Sequence, residues 1–193
     1  MSFEIITKII RDRKTTYAYD FSNKKIDKTI LESLITNALW APTHKLTQPW
    51  RFVVLEGKHQ EDLGRHMAEY YRALYDEEEF SNERYEETKE YAKNATLLAL
   101  IFQPSKRAQL PEWEEIAAIS SAVQNMWLSC TALNIGGYWD TAEATMSYGK
   151  QIQLEEGEKF LGIFYMGYLK EGIPSPNRRR KPLSKKLSWD FKE

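Results

Sequence analysis

The stretch Ala41-Pro-Thr-His-Lys-Leu-Thr-Gln-Pro-Trp-Arg-Phe-Val-Val54 joins a helix to a strand. Before it, apolar residues recur at helical spacing from Ile30 to Leu39, and Asp27 stands in the N-cap position. The helix should stop by Ala41, because the residue before a proline disfavours the helical region. After the loop, Arg51–Leu55 predicts a strand that Gly57 breaks. The prediction is therefore a helix, a proline-bracketed polar loop and a strand.

Working outward from this stretch, the chain alternates helical and strand patterns. Residues 95–102 form a continuous apolar run, which is typical of a strand covered on both faces. Gly136-Gly137 is expected to end the long helix predicted over residues 112–134. Helices are predicted over 3–10, 59–75, 112–134 and near 146–154, with strands at 138–139 and 160–169. Strands interleaved with helices predict an α/β or α+β sandwich around a small mixed sheet, in one domain over residues 1–193.

Composition narrows the class of protein. The chain has 193 residues, a formal net charge of −1 and 42% hydrophobic residues, so a disordered chain is excluded. One cysteine excludes an internal disulfide framework and fits a reducing compartment. No apolar run reaches the ~18 residues that a membrane helix needs. The first ten residues lack the pattern of a signal peptide, so a soluble cytoplasmic protein is expected.

The near-neutral total hides an uneven distribution of charge. Residues 1–25 hold six bases and three acids, and residues 170–193 hold eight bases and three acids. The middle of the chain is correspondingly acidic, with eight acids in residues 76–90. An acidic run is usually a solvated helix face. The two basic ends leave three alternatives open: solubilising tails, a nucleic-acid patch, or two halves of one anion site.

Self-contained catalytic chemistry finds little support in the sequence. His44, His59 and His66 lack metal-ligand spacing, and no glycine-rich phosphate loop or G-x-S-x-G elbow is present. Cys130 lies mid-helix on an apolar face, which favours a buried, inert thiol. An enzyme with this sequence would take its reactivity from a cofactor.

Four segments stand out, and each has an ordinary structural alternative. Arg13-Lys14-Thr15 suits a phosphate, or is simply a cationic helix end. The polar loop within residues 41–50 is either a ligand loop or a capped turn. Gly136–Thr141 lets backbone approach a flat ligand, or is a helix end followed by a core tryptophan. Asn177–Pro182, with four consecutive bases, is by itself more typical of a solvated or nucleic-acid-facing tail.

Taken in this order, the four segments resemble the nitroreductase family of flavin enzymes over nearly the whole chain. The AP-x-HK-x-x-QPW and GG-x-W-x-[ST] motifs are similar to those of a small subgroup of that family. Lys14 and Thr15 replace the usual arginine and serine, and so keep the charge and the hydroxyl. Tyr17 stands where the family often has an arginine, and Asp140 stands where a neutral or basic residue is usual.

The resemblance implies an α+β sandwich that forms an intertwined homodimer, with tightly bound FMN at the interface. It assigns the basic residues of both chain ends to the FMN phosphate and ribityl chain. It assigns the polar loop and the later strand to the flavin ring, with part of the loop contact coming from the partner subunit. The implied cofactor-binding residues are Arg13, Lys14, Thr15, Trp40, Pro42, Thr43, His44, Gln48, Trp139, Asp140, Thr141, Arg178 and Arg180.

The implied activity is transfer of two electrons from NAD(P)H, through flavin N5, to a small acceptor by a ping-pong mechanism. The acceptor is a nitroaromatic, a quinone or an activated alkene, and no side chain need act as an essential acid or base. Residues 70–93 would be a lid, and no metal, membrane or nucleic acid would be a partner. Three alternatives stay open: a flavin enzyme for one metabolite, a non-catalytic flavin-binding protein, and a nucleic-acid module using the basic tail.

Overall fold

Four strands form one sheet in the computed structural model, which describes residues 2–174 and 178–190. Their spatial order is β1-β2-β4-β3, and each neighbouring pair is antiparallel. The expectation of a mixed sheet is wrong for these strands, because β4 lies between β2 and β3, which run in the same direction, and so no two parallel strands are neighbours. The one parallel pairing within the described residues is an isolated bridge between Thr15 and Gly137. The strands are β1 (Trp50–Leu55), β2 (Thr96–Phe102), β3 (Ile135–Asp140) and β4 (Lys159–Tyr168).

Helices cover both faces of the sheet. One face packs against α2 and α5, the other against α3 and α6, while α4 lies on α3. This layering confirms the α+β sandwich. The helices are α1 (Ser2–Asp12), α2 (Lys28–Leu39), α3 (Lys58–Leu74), α4 (Asn82–Glu90), α5 (Glu112–Ala132) and α6 (Glu143–Tyr148).

Strand β2 lies between two hydrophobic cores, as the continuous apolar run predicts. Leu98 and Leu100 belong to the core under α2 and α5. Leu97 and Ile101, which alternate with them, belong to the core under α3 and α6. Because successive side chains of a strand point to opposite faces, only an unbroken apolar run can fill both cores.

The helix that precedes the polar loop ends where the proline requires. Its last residue is Leu39, and Trp40 follows as the C-cap. Asp27 occupies the N-cap position, but its side chain makes no capping hydrogen bond. The position of the cap is therefore confirmed, whereas side-chain capping is not observed.

Gly136 and Gly137 lie inside β3, so the expectation that they end the long helix is wrong. α5 ends at Ala132, and Asn134 adopts the left-handed backbone (φ 55°) that often follows a helix. The glycines are needed for close packing instead. A Cβ on Gly137 would lie 2.8 Å from the Tyr165 carbonyl oxygen, which is closer than real side chains approach.

Two further boundaries differ from the sequence prediction. α6 begins at Glu143 rather than near residue 146, because the Asp140 carboxylate accepts hydrogen bonds from Ala142 N at 2.9 Å and Thr145 Oγ1 at 2.5 Å. These bonds organise the first turn of the helix. The stretch 70–93 is not a single excursion but the end of α3, a turn, and α4.

A buried ion pair ties the start of β1 to the start of β4. Arg51 Nε donates to Glu158 Oε1 at 2.7 Å, and Arg51 Nη2 donates to Glu158 Oε2 at 2.5 Å. Gln103 Nε2 and Glu155 N also donate to this carboxylate, each at 2.9 Å. The Glu158 side chain is only 2% exposed. Its hydrogen bonds to Arg51, strengthened by the opposite charge, lower the pKa of the Glu158 carboxyl to about 2.

Replacing this carboxylate should destabilise the fold. Glu158→Gln is expected to lower the free energy of unfolding by about 2 kcal/mol, because Arg51 loses its charge partner. The pKa is lower in the folded chain than in the unfolded chain, so the stabilisation is present above the unfolded value and is lost as pH falls toward about 2. Urea unfolding at several acidic pH values measures both effects. The exposed control Glu156→Gln should match the parent, and equal pH profiles for Glu158→Gln and the parent would contradict the assignment.

Gly64 sets how closely α4 approaches α3. A Cβ at this position would lie 2.0 Å from the Lys89 carbonyl oxygen, which is backbone and cannot rotate away. The approach matters for function because Glu87 and Glu90 of α4 line a cleft of about 780 Å³.

Gly64→Ala should force the two helices apart and lower the free energy of unfolding by about 2 kcal/mol. Hydrogen exchange should show the loss of protection concentrated in α4. The control Glu69→Ala changes an exposed position of the same helix and should stay within about 0.5 kcal/mol of the parent. Unaltered stability and exchange in Gly64→Ala would show that α4 does not pack at this distance.

Candidate functional site

Three arginines from the two ends of the chain converge beside α5. Arg13 directly follows α1, and its guanidinium lies 4.4 Å from the ring centroid of Trp127. Arg178 Nη1 donates a hydrogen bond to the Arg13 carbonyl oxygen. Partial burial and the charges of Arg178 and Arg180 lower the pKa of the Arg13 guanidinium. The two basic ends therefore form one site that favours an anion.

Lys14 and Thr15 continue this site along the edge of the sheet. Lys14 and Arg178 line a cleft of about 260 Å³, whose floor includes Gly136. Thr15 forms the parallel bridge to Gly137. The cationic segment is thus fixed to β3 rather than left as a solvated helix end. Asn177, the first residue of the predicted basic segment, lies outside the described residues.

The polar loop between α2 and β1 has a strained backbone. Lys45, Leu46 and Gln48 all have positive φ, at 52°, 54° and 47°, which non-glycine residues seldom adopt. The Thr43 hydroxyl accepts a hydrogen bond from Gln48 N at 3.1 Å, which closes the loop. His44 Nδ1 lies 2.7 Å from Glu114 Oε2 at the start of α5. Strain that the surroundings hold in place is typical of binding loops.

Within one chain the structure does not bring this loop to the arginines. His44 contacts Glu114, whereas Arg13 contacts Trp127, thirteen residues further along α5. At 1.5 Å per residue these two points are about 20 Å apart. Trp40 and Pro42 are exposed at the same end as the loop. Within one chain, these residues therefore lie apart from the arginines.

Trp139 and Asp140 point to opposite faces of the sheet. The Trp139 indole packs on the core under α2 and α5, and its Nε1 donates to the Leu161 carbonyl oxygen at 2.7 Å. This is the core tryptophan of the structural alternative, so its side chain is committed to packing. Asp140 faces the α3 and α6 side, and Thr141 follows it, exposed, where β3 ends.

A large cleft lined by tyrosines lies on this second face, and sequence reasoning did not identify it. Its volume is about 780 Å³, within the usual range for a small-molecule site. Asp140 is the one predicted site residue that contributes to it. The clustering of tyrosine in the sequence, beginning with Tyr17 and Tyr19, was the available signal. Its lining residues include Tyr17, Tyr19, Tyr71, Glu87, Glu90, Tyr91, Tyr138, Asp140 and Lys170.

The tyrosines of the cleft wall are linked to each other. The hydroxyls of Tyr91 and Tyr138 are 2.8 Å apart, and the Tyr138 ring stacks on Tyr165 with centroids 4.7 Å apart. Burial raises the pKa of Tyr91 to about 12 and also raises the pKa of Tyr138. The Asp140 carboxylate raises the pKa of both hydroxyls further. The wall therefore stays uncharged at neutral pH.

Cys130 and the metal-ligating residue types form no second site within the described residues. Cys130 is fully buried, and burial raises the pKa of its thiol to about 12, so the prediction of an inert thiol is confirmed. Within residues 2–174 and 178–190, no group of three or more His, Cys, Asp or Glu side chains could hold a metal ion. No helix in that part of the chain is long and apolar enough to cross a membrane.

Comparison with known proteins identifies the family. The sequence profile of the nitroreductase family matches residues 10–168. The chain belongs to the nitroreductase family. YdjA of Escherichia coli K12, which carries the name of an NAD(P)H nitroreductase, is 25% identical over 144 residues, covering 71% of this chain and 74% of YdjA. Iodotyrosine deiodinase of Hydra vulgaris is 24% identical over 187 residues, covering 85% of this chain and 65% of that protein.

Solved structures of nitroreductases share the fold. A nitroreductase-like protein from Bacillus cereus superposes with a TM-score of 0.75 at 22% identity, covering 95% of this chain and 94% of its own. The FMN-dependent nitroreductase NfnB from Mycobacterium smegmatis, in complex with NADPH, gives 0.74 at 16% identity, covering 99% and 100%. A Bacteroides fragilis nitroreductase with bound FMN gives 0.66 at 20% identity, covering 91% and 94%. These likenesses confirm the predicted fold family.

Proposed function

We propose that this nitroreductase-family protein binds FMN tightly and transfers two electrons from NAD(P)H to a small acceptor such as a nitroaromatic, a quinone or an activated alkene. The observation that carries the proposal is the convergence of Arg13, Arg178 and Arg180 at the edge of the sheet. FMN in the Bacteroides fragilis structure and NADPH in the Mycobacterium smegmatis structure support it from relatives of the same fold.

The residues of this chain fit an FMN phosphate. A phosphomonoester carries nearly two negative charges, and three converging guanidinium groups repel one another unless an anion lies between them. Lys14 adds an ammonium, and Thr15 adds a hydroxyl on the same segment. Asp140 and Thr141, where β3 ends, would hold the flavin ring. Trp139 would contribute backbone there rather than its indole, which is held by Leu161.

When bound, FMN supplies the two-electron chemistry, so that NAD(P)H, a proton and a quinone become NAD(P)⁺ and a hydroquinone in alternating half-reactions. The protein contributes binding, orientation and exclusion of water. The arginines hold the phosphate, β3 orients the ring, and the tyrosine cleft encloses a second flat molecule. Residues 70–93 line this cleft through Tyr71, Glu87 and Tyr91, which supports their role as a lid.

The proposed protein is an intertwined homodimer, in which the loop of one copy would meet the arginines of the other. α1 is apolar at helical spacing, yet none of its residues is buried in the single chain. Phe3, Trp40 and Trp113 are 78%, 83% and 70% exposed. Large apolar side chains exposed on this scale mark an interface. A second copy covering them would bring the strained loop and His44 toward the arginines. Such a protein is expected to work in the cytoplasm.

Arg13→Ala should weaken FMN binding about 30-fold without unfolding the chain, because one charge-assisted contact to the phosphate is lost. Fluorescence titration of the apoprotein with FMN measures the dissociation constant, and thermal unfolding of the apoprotein checks the fold. Arg11→Ala removes an exposed cation two residues earlier and serves as the matched control. Full FMN affinity in Arg13→Ala would move the phosphate site elsewhere, and a parent that never binds FMN would overturn the function.

The double substitution Ile6→Asp with Ile10→Asp should convert the dimer into a monomer and reduce FMN retention. Two carboxylates would be buried without partners at the interface, while the fold of the single chain does not depend on these exposed side chains. Light scattering after size exclusion measures the mass. Lys8→Glu lies between them in sequence but on another side of the helix, and should remain dimeric. A double variant that still dimerises would place the interface away from α1.

A further inference from the structure

The tyrosine cleft differs from a general binding site for flat molecules because more acidic than basic side chains line it. Glu87 and Glu90 stand on α4 at one side, and Asp140 stands at the end of β3 on the other. Lys170 is the one base among the lining residues, and its Nζ donates to the Tyr19 carbonyl oxygen at 2.6 Å. The cleft therefore presents three carboxylates against one ammonium that is already hydrogen-bonded to backbone.

The acids on α4 are exposed side chains at the mouth of the cleft. Glu90 pairs with Lys93 at 2.6 Å, which offsets part of its charge. Glu87 makes no ion pair within the part of the chain that the structure describes. Asp140 holds the first turn of α6 through Ala142 N and Thr145 Oγ1, so its carboxylate is fixed in position. Asp140, held by two hydrogen bonds, and the exposed carboxylates of α4 give the cleft an excess of negative charge.

The aromatic wall acts in the same direction as the carboxylates. The face of a tyrosine ring attracts cations, and Tyr17, Tyr19, Tyr71, Tyr91 and Tyr138 contribute rings to one cavity. Tyr17 meets Tyr138 edge-on, with centroids 5.1 Å apart, and Tyr17 lies near Tyr19 at 5.7 Å. Several tyrosines that line one cavity, combined with nearby carboxylates, are the chemistry that recognises organic ammonium groups.

The backbone separates this negative cleft from the positive phosphate site. The bridge between Thr15 and Gly137 is shared by both regions. Arg13 and Lys14 lie on one side of the bridge, and Tyr17 and Tyr138 lie on the other. A residue of extended chain spans about 3.3 Å, so the change of sign occurs within roughly 10 Å. A small molecule can place an anionic tail in the positive phosphate site. A second molecule, a cation, can then occupy the tyrosine cleft.

We propose that the tyrosine cleft selects aromatic organic cations, in which a flat ring carries a protonated or quaternary nitrogen, as the electron acceptors of this protein. The redox part of this inference rests on the proposed function, whereas the binding part does not. Aromatic anions should be disfavoured because the carboxylates repel them. Uncharged aromatics should fall between, since they keep the ring contacts but not the charge contact.

Three para-nitrobenzyl compounds of similar size test the selection by charge: the trimethylammonium, the alcohol and the sulfonate. The first reduction step is the same for each, with the nitro group taking a hydride equivalent from NAD(P)H and a solvent proton to give the nitroso group, NAD(P)⁺ and water. For the FMN-loaded dimer, kcat/KM should favour the cation over the anion by about tenfold at low ionic strength. Salt should reduce the ratio, because the rim charges are exposed.

The double variant Glu87→Gln with Glu90→Gln should lower this ratio by about threefold. Glu83→Gln removes one negative charge from the same helix outside the cleft and should leave the ratio unchanged. Reduction of the alcohol with equal rates for cation and anion would overturn the cation selection while leaving the proposed function intact. A preference that survives in the double variant but falls in Glu83→Gln would also overturn it, because the selecting charges would lie elsewhere.

A binding measurement tests the cleft without turnover. Calorimetry of the purified protein with benzyltrimethylammonium and with benzylsulfonate should show tighter binding of the cation, and Tyr17→Ala should weaken it. Equal or tighter binding of the sulfonate would overturn the inference. This experiment requires no reduction of either compound, so it decides the cleft even for protein that fails to oxidise NAD(P)H.

Discussion

The pairing of the segment after α1 with the edge of β3 positions the rest of the site. Thr16 N donates to the Gly137 carbonyl oxygen at 3.2 Å, and Thr15 bridges the same residue. This contact depends on glycine, because a Cβ on Gly136 would lie 2.6 Å from the Leu169 side chain and 3.0 Å from Thr16. Once the segment is fixed, Arg13 and Lys14 fall on one side of the bridge and Tyr17 on the other. A positive pocket and a tyrosine cleft thus follow from one backbone contact.

The fold also determines where the charged segments of the chain lie. A net charge of −1 conceals basic ends and an acidic middle, and the fold brings the ends together while it keeps the middle apart. Arg178 donates a hydrogen bond to the Arg13 carbonyl oxygen across 165 residues of sequence, so the start of the basic tail packs against the N-terminal cations. The acidic stretch remains largely exposed on α4, as an ordinary solvated helix face would be, yet Glu87 and Glu90 also face the cleft.

Local patterns predicted much of the architecture because they record constraints that act within a few residues. The unbroken apolar run predicted β2, and the proline after α2 predicted where that helix ends. The helical spacing of apolar residues predicted α3. Predictions went wrong where a distant partner decided the outcome. Gly136 and Gly137 are typical of a helix end, but Asn134 takes the left-handed position and the glycines serve contacts with Thr16 and Tyr165. The structural alternative for Trp139 is observed, because its indole packs in the core and donates to the Leu161 carbonyl oxygen, which leaves its backbone for the proposed flavin contact.

By itself, the sequence determined the family, the helices and strands, and the residue types that can hold a phosphate, because these depend on local spacing and on chemistry carried by each side chain. Only the tertiary structure decided which of those residues meet. Arg13, Arg178 and Arg180 converge, whereas His44 lies about 20 Å along α5 from them. Only the fold, likewise, assembled tyrosines from positions 17 to 138 around one cavity with three carboxylates. Long-range contacts of this kind arise from packing of whole elements, and no local pattern of residues encodes them.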